Sequence, residues 1–308
     1  MVMSSDDSDF YGDDEVVADL KSRVQHFDVQ GWWEEHSTIS TPLKQQACKA
    51  ASTAAPSSSP SHLHNPYAGV AHARQLTESV DAFLARVPPA TTDATPADPW
   101  IWIGNPYIGR KAKGAADNQR VRGGEDEAPE AEGADLDTVV EGGMGRLHLA
   151  SSYIDACVNS GQNPNFVRRE CRKAGADAAK DILVLAQTHH VSCGKWMLFC
   201  NVLDVNEVWE VIAKATANNE LGIAAKVAPR SHVENRTERL ICVYTADFGD
   251  IKDVKRVAQR LKQLGLVKAR GKPLYYKPDV YTYLGLSSGN PWEIRASIYD
   301  TTSMLGKG

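Results

Sequence analysis

Two tryptophans that lie two residues apart are the side chains in this sequence best suited to holding a flat ligand. Trp100 and Trp102 belong to a short strand-like run, from Pro99 to Pro106, that is bounded by breaking residues. Because alternate residues of a strand point to the same side, the two indole rings would lie roughly 6.6 Å apart on one face. Such a pair could stack a nucleobase or a methylated cation, although neighbouring tryptophans more often serve only as core packing.

Basic side chains that could neutralise phosphates follow in the C-terminal half. Lys226 and Arg230 lie at the end of a strand-like run, and Arg256 and Arg260 belong to one predicted helix. Affinity for nucleic acids comes largely from such contacts, so a shared basic surface would favour RNA or a nucleotide as the partner. A solvated helix face beside a basic turn is the alternative. The basic residues concerned are Arg168, Arg169, Arg172, Lys173, Lys226, Arg230, Lys255, Arg256, Arg260, Lys262, Lys268, Arg270, Lys272 and Lys277.

Residues suited to covalent or metal chemistry are sparse. Cys193 follows His190 by three positions, which would allow a cysteine–histidine dyad, but no orienting third residue or nucleophile motif accompanies it. The six cysteines are scattered without a CxxC pair, which argues against a zinc site and against a disulfide framework. We therefore predict a non-enzymatic protein with no catalytic residue, no metal and no cofactor, and a thiol-dependent enzyme is a distant alternative.

The elements that must position these side chains are clearest between Gly194 and Asn290. Strand, helix, strand, strand, helix and strand follow one another in that order, which predicts an α+β domain with helices on one face of a sheet. Asp204 and Asp250 are placed to cap the two helices, and Gly265 is placed to end the second. The six runs are 196–203, 204–216, 221–228, 239–246, 250–264 and 274–276.

Composition divides the chain into a body and two acidic segments. The formal net charge is −5, yet residues 1–19 contain seven acids and residues 125–141 contain eight, both without a base. The rest of the chain has 34 basic side chains against 24 of the 39 acidic ones. Residues 1–65 are predicted to be an acidic, low-complexity and mostly disordered extension. Residues 66–308 are predicted to form a single domain, interrupted by a disordered acidic insertion at about 111–142.

The sequence also bears on localisation. No apolar run reaches the length of about 18 residues that a membrane span needs. No N-terminal segment has the pattern of a signal peptide. We therefore expect a cytoplasmic protein, one that could also enter the nucleus, with no membrane partner.

Several motifs resemble those of known proteins. Five segments resemble, in order and spacing, the C-terminal half of translation initiation factor 4E, the mRNA cap-binding protein: 194–198, 203–209, 221–225, 240–245 and 264–266. The longer span from about Ala71 to Tyr299 resembles the basophilic leukaemia expressed protein family more closely, and the fold of that family is similar to the fold of the initiation factor. The segments that carry this second resemblance are 99–106, 276–279, 281–285 and 289–292.

The resemblance implies a curved, mostly antiparallel sheet with helices on one face, as in initiation factor 4E. It does not bring the cap site with it, because no tryptophan lies between Trp102 and Trp196 and the family's phosphate-binding arginine falls at Ala228. A family lysine falls at Arg230. The ligand-binding candidates are Trp100, Trp102, Lys226, Arg230, Arg256 and Arg260. The alternative function is a protein–protein scaffold without nucleic-acid binding, which would hold a partner-protein helix on its convex helical surface.

Overall fold

A computed structural model describes residues 63–110, 126–231, 237–267 and 271–306, together with positions 18, 21, 22 and 26. The chain divides into two units, Met1–Ser58 and Ser59–Gly308, and all elements below belong to the second. Within the described ranges its helices are α1 (Val80–Arg86), α2 (Leu136–Val158), α3 (Pro164–Thr188), α4 (Val205–Ala217), α5 (Ile251–Gln263), α6 (Asp279–Tyr283) and α7 (Thr301–Leu305). Its strands are β1 (Ile101–Gly104), β2 (Gly194–Asn201), β3 (Ala224–Val227), β4 (Glu238–Thr245), β5 (Tyr275–Pro278) and β6 (Tyr299–Asp300).

The six strands form one sheet in the order β1-β3-β4-β2-β5-β6, and every neighbouring pair is antiparallel. This confirms the predicted α+β class. The early strand β1 joins the late strands through β3, with Trp102 opposite Lys226. On its other side β1 is bonded by the preceding loop, because the Trp102 amide donates to the His72 carbonyl (2.9 Å) and the Arg74 amide donates to the Trp102 carbonyl (3.0 Å).

Helices cover one side of the sheet, which we call the helix face. Trp196 and Leu198 of β2 and Val243 of β4 point to this side, because alternate residues of a strand share a face. They are buried in one core with apolar side chains from helices α1 to α6. Trp196 and Trp209 both lie in that core, and the Trp196 indole donates to the Val254 carbonyl (3.1 Å).

The opposite side, which we call the loop face, is packed by loops. Its buried apolar residues include Tyr67 and Ala73 from the segment before α1, Trp102 of β1, Tyr244 of β4, and Ala128. Ala128 lies in residues 126–130, which we call the strap. Among the described residues this second cluster contains no helical side chain.

Local capping explains where the helices begin and end. The Asp250 carboxylate accepts hydrogen bonds from the amides of Lys252 and Asp253, which confirms the predicted start of α5. Gly265 has a φ of 77°, and the left-handed backbone that ends α5 is confirmed there. Asp204 is also the N-cap residue of α4, but its side chain makes no capping hydrogen bond.

The predicted disordered insertion lies only partly within the described residues. Of the expected range 111–142, residues 111–125 lie outside the described residues, and residues 126–142 are described. The strap lies on the loop face, and α2 begins at Leu136 because the Asp135 carboxylate accepts from the Thr138 amide. The predicted disorder of residues 1–65 lies almost wholly outside the described part of the chain.

Candidate functional site

The centre of the loop face is a buried group of charges. The Lys195 ammonium donates to the carboxylates of Glu127 (2.5 Å) and Asp279 (2.8 Å), and to the Thr282 hydroxyl (3.0 Å). The Tyr244 hydroxyl donates to the same Glu127 oxygen (2.5 Å). All of the charged members are at most 4% exposed. Strands β2 and β4 thus converge on the one carboxylate that the strap supplies.

The charges of this group perturb one another. Burial would raise the pKa of Glu127, but Lys226 and Lys195 outweigh it and hold the pKa below its usual range. Burial raises the pKa of Asp279 to about 7 in spite of Lys195. One Asp279 oxygen, Oδ2, is buried without a hydrogen-bond partner among the described residues. Lys195 has a raised pKa because its two carboxylate partners outweigh burial.

Lys226 lies among aromatic rings rather than beside an open cleft. Its ammonium is 4.0 Å from the centroid of the Trp100 ring, 5.3 Å from that of Trp102 and 5.7 Å from that of Tyr244. It also contacts the Glu127 carboxylate (3.4 Å) and donates to the Asp126 carbonyl. An ammonium held over ring faces in this way is a cation–π contact.

The two predicted tryptophans share one face of the sheet, as alternation along a strand requires, but their rings are not open to a ligand. Trp100 and Trp102 both lie on the loop face, where Trp100 is partly exposed and Trp102 is only 3% exposed. Tyr67 stacks on Trp102 with ring centroids 4.8 Å apart, and Tyr244 stacks on it at 5.8 Å. In this conformation Trp102 is therefore core, and no base can reach its ring.

Two other aromatic rings are accessible on the same face. Phe199 is 60% exposed and Tyr275 is 42% exposed. Tyr275 lies opposite Met197 in the β2–β5 pair, and Phe199 is two residues along β2 from Met197, so the three side chains share a face. Diagonal neighbours of this kind lie about 7–8 Å apart. The pair forms an exposed aromatic platform next to the buried charges.

Lys277 adds a positive charge beside this platform. It lies two residues along β5 from Tyr275 and directly opposite Lys195. Burial lowers the pKa of Lys277 to about 8, and the neighbouring Lys195 adds to that effect. The carboxylates of Glu127 and Asp279 act in the opposite direction. An incoming phosphate would stabilise the ammonium form of this side chain.

The other basic candidates do not join this site. Arg230 is partly exposed and makes two hydrogen bonds to the Asp93 carboxylate (2.6 and 3.0 Å). Its backbone is bonded to Thr92 and Ala94. Arg230 therefore ties the segment after α1 to the chain that leaves β3.

Arg256 and Arg260 belong to α5, which packs on the helix face. Arg256 donates to the carbonyls of Glu220 (3.0 Å) and Leu221 (2.9 Å), and Arg260 donates to the Glu220 carboxylate (2.5 Å). The two arginines thus bond the turn between α4 and β3. The structure separates them from Trp100, Trp102 and Lys226, so the six candidates do not form one binding surface.

The structure does not favour the alternative cysteine–histidine dyad, because the Cys193 thiol is buried. Cys193 is fully buried, and its sulfur lies 3.8 Å from the carbonyl oxygens of Pro129 and Ala246. Burial and the neighbouring Glu130 raise its pKa well above the usual value. A nucleophilic cysteine needs the opposite shift and an accessible sulfur.

Sequence reasoning missed Lys195, Glu127, Phe199 and Tyr275. Lys195 carried a signal, because a lysine inside an otherwise apolar strand run must find a buried partner. Phe199 and Tyr275 alternate with core residues and could have been assigned to the loop face by register. Glu127 carried no signal, because it stands in a run of acids that has no distinguishing pattern.

No helix of the described residues is long and apolar enough to cross a bilayer. No three His, Cys, Asp or Glu side chains lie together there as a metal ion would require. These findings concern the described residues alone.

A comparison with protein families places the chain. The family model of the basophilic leukemia-expressed protein Bles03 matches residues 20–285. That range includes the strap, strands β1 to β5 and every residue of the loop face discussed above. The chain therefore belongs to the Bles03 family of basophilic leukemia-expressed proteins.

Proposed function

We propose that this protein is a non-enzymatic binding protein that holds RNA or a nucleotide on its loop face. The observation that carries the proposal is the exposed aromatic platform of Phe199 and Tyr275 beside Lys277. Bases stack on aromatic rings with a contribution of about 1–3 kcal/mol per base, whatever their sequence. The adjacent ammonium supplies a contact for the phosphate that follows a stacked base.

We further propose that the fold is that of translation initiation factor 4E. The order of strands and helices from β2 to β5 supports this, as does a sheet whose described helices pack on one face. The ligand would not be recognised as a cap, however. Trp102 is buried under Tyr67, and Arg230 is bound to Asp93.

A binding experiment tests the proposal. Fluorescence anisotropy would measure the affinity of the full chain for a labelled single-stranded RNA of about ten uridines, and for labelled ATP. Changing both Phe199 and Tyr275 to Ala should weaken binding at least about ten-fold, because two stacking contacts are lost. Phe166→Ala is the matched control, since Phe166 is an exposed aromatic residue of α3, 41% accessible, on the helix layer.

The outcomes are decisive in both directions. Equal loss in the control and the double variant would point to a general effect on the fold. Unchanged affinity in a folded double variant, or no measurable affinity of the wild-type chain for either probe, would overturn the proposal.

A partner-protein scaffold is the second candidate, and one observation favours it. A groove of about 290 Å³ runs between α2 and α3, where Leu149 (65% exposed) and Tyr153 (47% exposed) face solvent beside four charged side chains, Arg146, Glu170, Lys173 and Asp177. Such a groove could take the apolar side of a partner helix. Helical peptides with a Tyr-x4-Leu-apolar pattern should then bind with little dependence on salt, and Leu149→Glu should abolish that binding. Binding that survives this change would rule out the groove.

A further inference from the structure

Glu127 fills a site whose other members are two lysines and a tyrosine. The ammonium of Lys195 and the hydroxyl of Tyr244 donate to one of its oxygens, and the ammonium of Lys226 lies 3.4 Å from the other. These three partners come from the neighbouring strands β2, β4 and β3. The sheet therefore supplies the three groups that contact Glu127, and Asp279 and Thr282 of α6 hold Lys195 from another side.

Other contacts with described residues also hold the strap that supplies this anion. Lys226 donates to the Asp126 carbonyl, the Cys193 amide donates to the Glu130 carboxylate (3.1 Å), and the Tyr283 hydroxyl donates to Glu130 (3.3 Å). The Pro129 carbonyl lies 3.8 Å from the Cys193 sulfur, and Ala128 packs in the loop-face cluster. Burial raises the pKa of Glu130. Among these attachments, the carboxylates of Glu127 and Glu130 are the two that another anion can replace.

Stability alone does not account for this arrangement. Burying an ion pair gains little free energy over apolar packing, whereas removing one partner leaves an uncompensated charge. Without Glu127, Lys195 would keep Asp279 as a carboxylate partner, whereas Lys226 would lose the carboxylate that it contacts. A pair of lysines so enclosed, with aromatic rings around Lys226, strongly favours some anion in the position of the Glu127 carboxylate.

We propose that Lys195, Lys226 and the Tyr244 hydroxyl form a phosphate-binding site that Glu127 occupies in the free protein. The terminal phosphates of a nucleotide displace Glu127 and take its place. The inference rests on the binding function proposed above and extends it by naming the ligand class, a nucleotide with two or more linked phosphates. Lys195 lies two residues, roughly 6.6 Å, along β2 from Met197, which is opposite Tyr275. A base on Tyr275 would thus have its phosphates directed at Lys277 and then at Lys195.

Inorganic pyrophosphate is the probe for this site, because it has no base to stack. Glu127→Ala should lower the melting temperature of the full chain, since it leaves the lysines without their anion. Pyrophosphate at 10 mM should then restore the loss in this variant and raise its melting temperature by several degrees more than that of the wild type. The same addition to Glu127→Ala combined with Lys226→Met should give no restoration.

Two further measurements keep the test decisive if Glu127→Ala does not fold. Glu127→Gln keeps the size of the side chain and removes its charge, and it should bind pyrophosphate at least ten-fold more tightly than the wild type in calorimetry. In the wild type, pyrophosphate should speed hydrogen exchange of the Cys193 amide, because that amide loses its Glu130 acceptor when the strap leaves.

Each result separates this inference from the proposed function. Equal pyrophosphate affinity in the wild type and in Glu127→Gln would overturn the phosphate site, as would unchanged exchange at Cys193 with saturating probe. Neither result involves the aromatic platform, so RNA binding lost in the Phe199 and Tyr275 double variant would still stand. Conversely, a protein that binds pyrophosphate but not RNA would overturn only the proposal that bases stack on Phe199 and Tyr275.

Discussion

At the scale of single residues, Lys277 shows how the sheet controls a charge. It lies opposite Lys195, and burial together with that neighbour lowers its pKa to about 8. A lysine in this range is still mostly protonated at pH 7 and mostly neutral at pH 9. Binding of a phosphate should stabilise the protonated form, so affinity and pH are linked through this side chain.

The affinity for single-stranded RNA should fall about two- to five-fold between pH 7 and pH 9, because a neutral amine makes no ion pair with phosphate. Lys277→Arg should bind equally well at both pH values, since a guanidinium stays charged. Anisotropy titrations at pH 7, 8 and 9 measure both. A wild-type affinity that stays constant to pH 9 would contradict the role given to Lys277.

Only some residue contacts of the site could be predicted from the sequence. Alternation along a strand correctly predicted that Trp100 and Trp102 share a face. It could not predict that Tyr67, from a loop 35 positions upstream of Trp102, stacks on that ring. Contacts between a sheet and a distant loop produce no periodic pattern in the amino-acid sequence. Glu127 was hidden for the same reason, since its partners lie on strands far along the chain.

At the scale of elements, local signals predicted the two helices between Gly194 and Asn290, but helix propensity gives no sign of where α2 begins. The glycines at 142, 143 and 145 are poor helix formers. The helix nonetheless begins at Leu136 and runs through all three. Gly143 allows close packing, because a Cβ there would lie 2.7 Å from the end of the Leu284 side chain. Tertiary packing has overridden propensity.

Two helical glycines should respond in opposite ways to replacement by alanine. A Cβ on Gly175 of α3 would lie 2.0 Å from the Trp292 carbonyl oxygen, whereas nothing lies within 4 Å of a Cβ on Gly145 of α2. Gly175→Ala should lower the free energy of unfolding by about 1–3 kcal/mol through overpacking. Gly145→Ala should raise it by about 0.5–1 kcal/mol through helix propensity.

Chemical denaturation of the two variants beside the wild type measures these changes. Each variant is the control for the other, because both substitutions add one methyl group to the interior of a long helix. Loss of stability in Gly145→Ala, or none in Gly175→Ala, would show that the packing of α2 and α3 differs from the one described.

At the scale of the whole molecule, the basic side chains discussed above lie on several surfaces and do not form one basic patch. Arg256 and Arg260 bond the turn at Glu220 beside the helix face, and Arg230 is paired with Asp93. Among the described residues of the loop face, Lys195, Lys226 and Lys277 lie at the buried charges and the aromatic platform, and Arg110 lies near Glu130 and Cys193. Sequence could count these charges but could not assign them to faces, because helix and strand periodicity do not say which helix side meets which loop.

RNA binding should therefore depend only weakly on salt. With one to three lysines in contact with phosphates, the slope of log affinity against log salt should lie between about −0.7 and −2. Changing Arg256 and Arg260 together to Glu should leave both affinity and slope within two-fold. It should lower the free energy of unfolding by about 1–2 kcal/mol, since contacts with Glu220 become repulsive.

Lys255→Glu on the same helix is the matched control, because Lys255 is exposed. It should change neither stability nor affinity appreciably. A slope much steeper than −2 that the arginine changes reduce would show that α5 contacts the nucleic acid.

One feature of the sheet bears on how copies of this chain behave together. The outer side of β1 is bonded to His72 and Arg74, and β6 is only two residues long. Strands at sheet edges with unbonded amides and carbonyls recruit strands from other molecules, and coverage or shortness prevents this. Both edges of this sheet are therefore protected from pairing with strands of other molecules. Truncation that removes residues 63–75 would uncover the first edge, and intermolecular strand pairing followed by aggregation is the expected consequence.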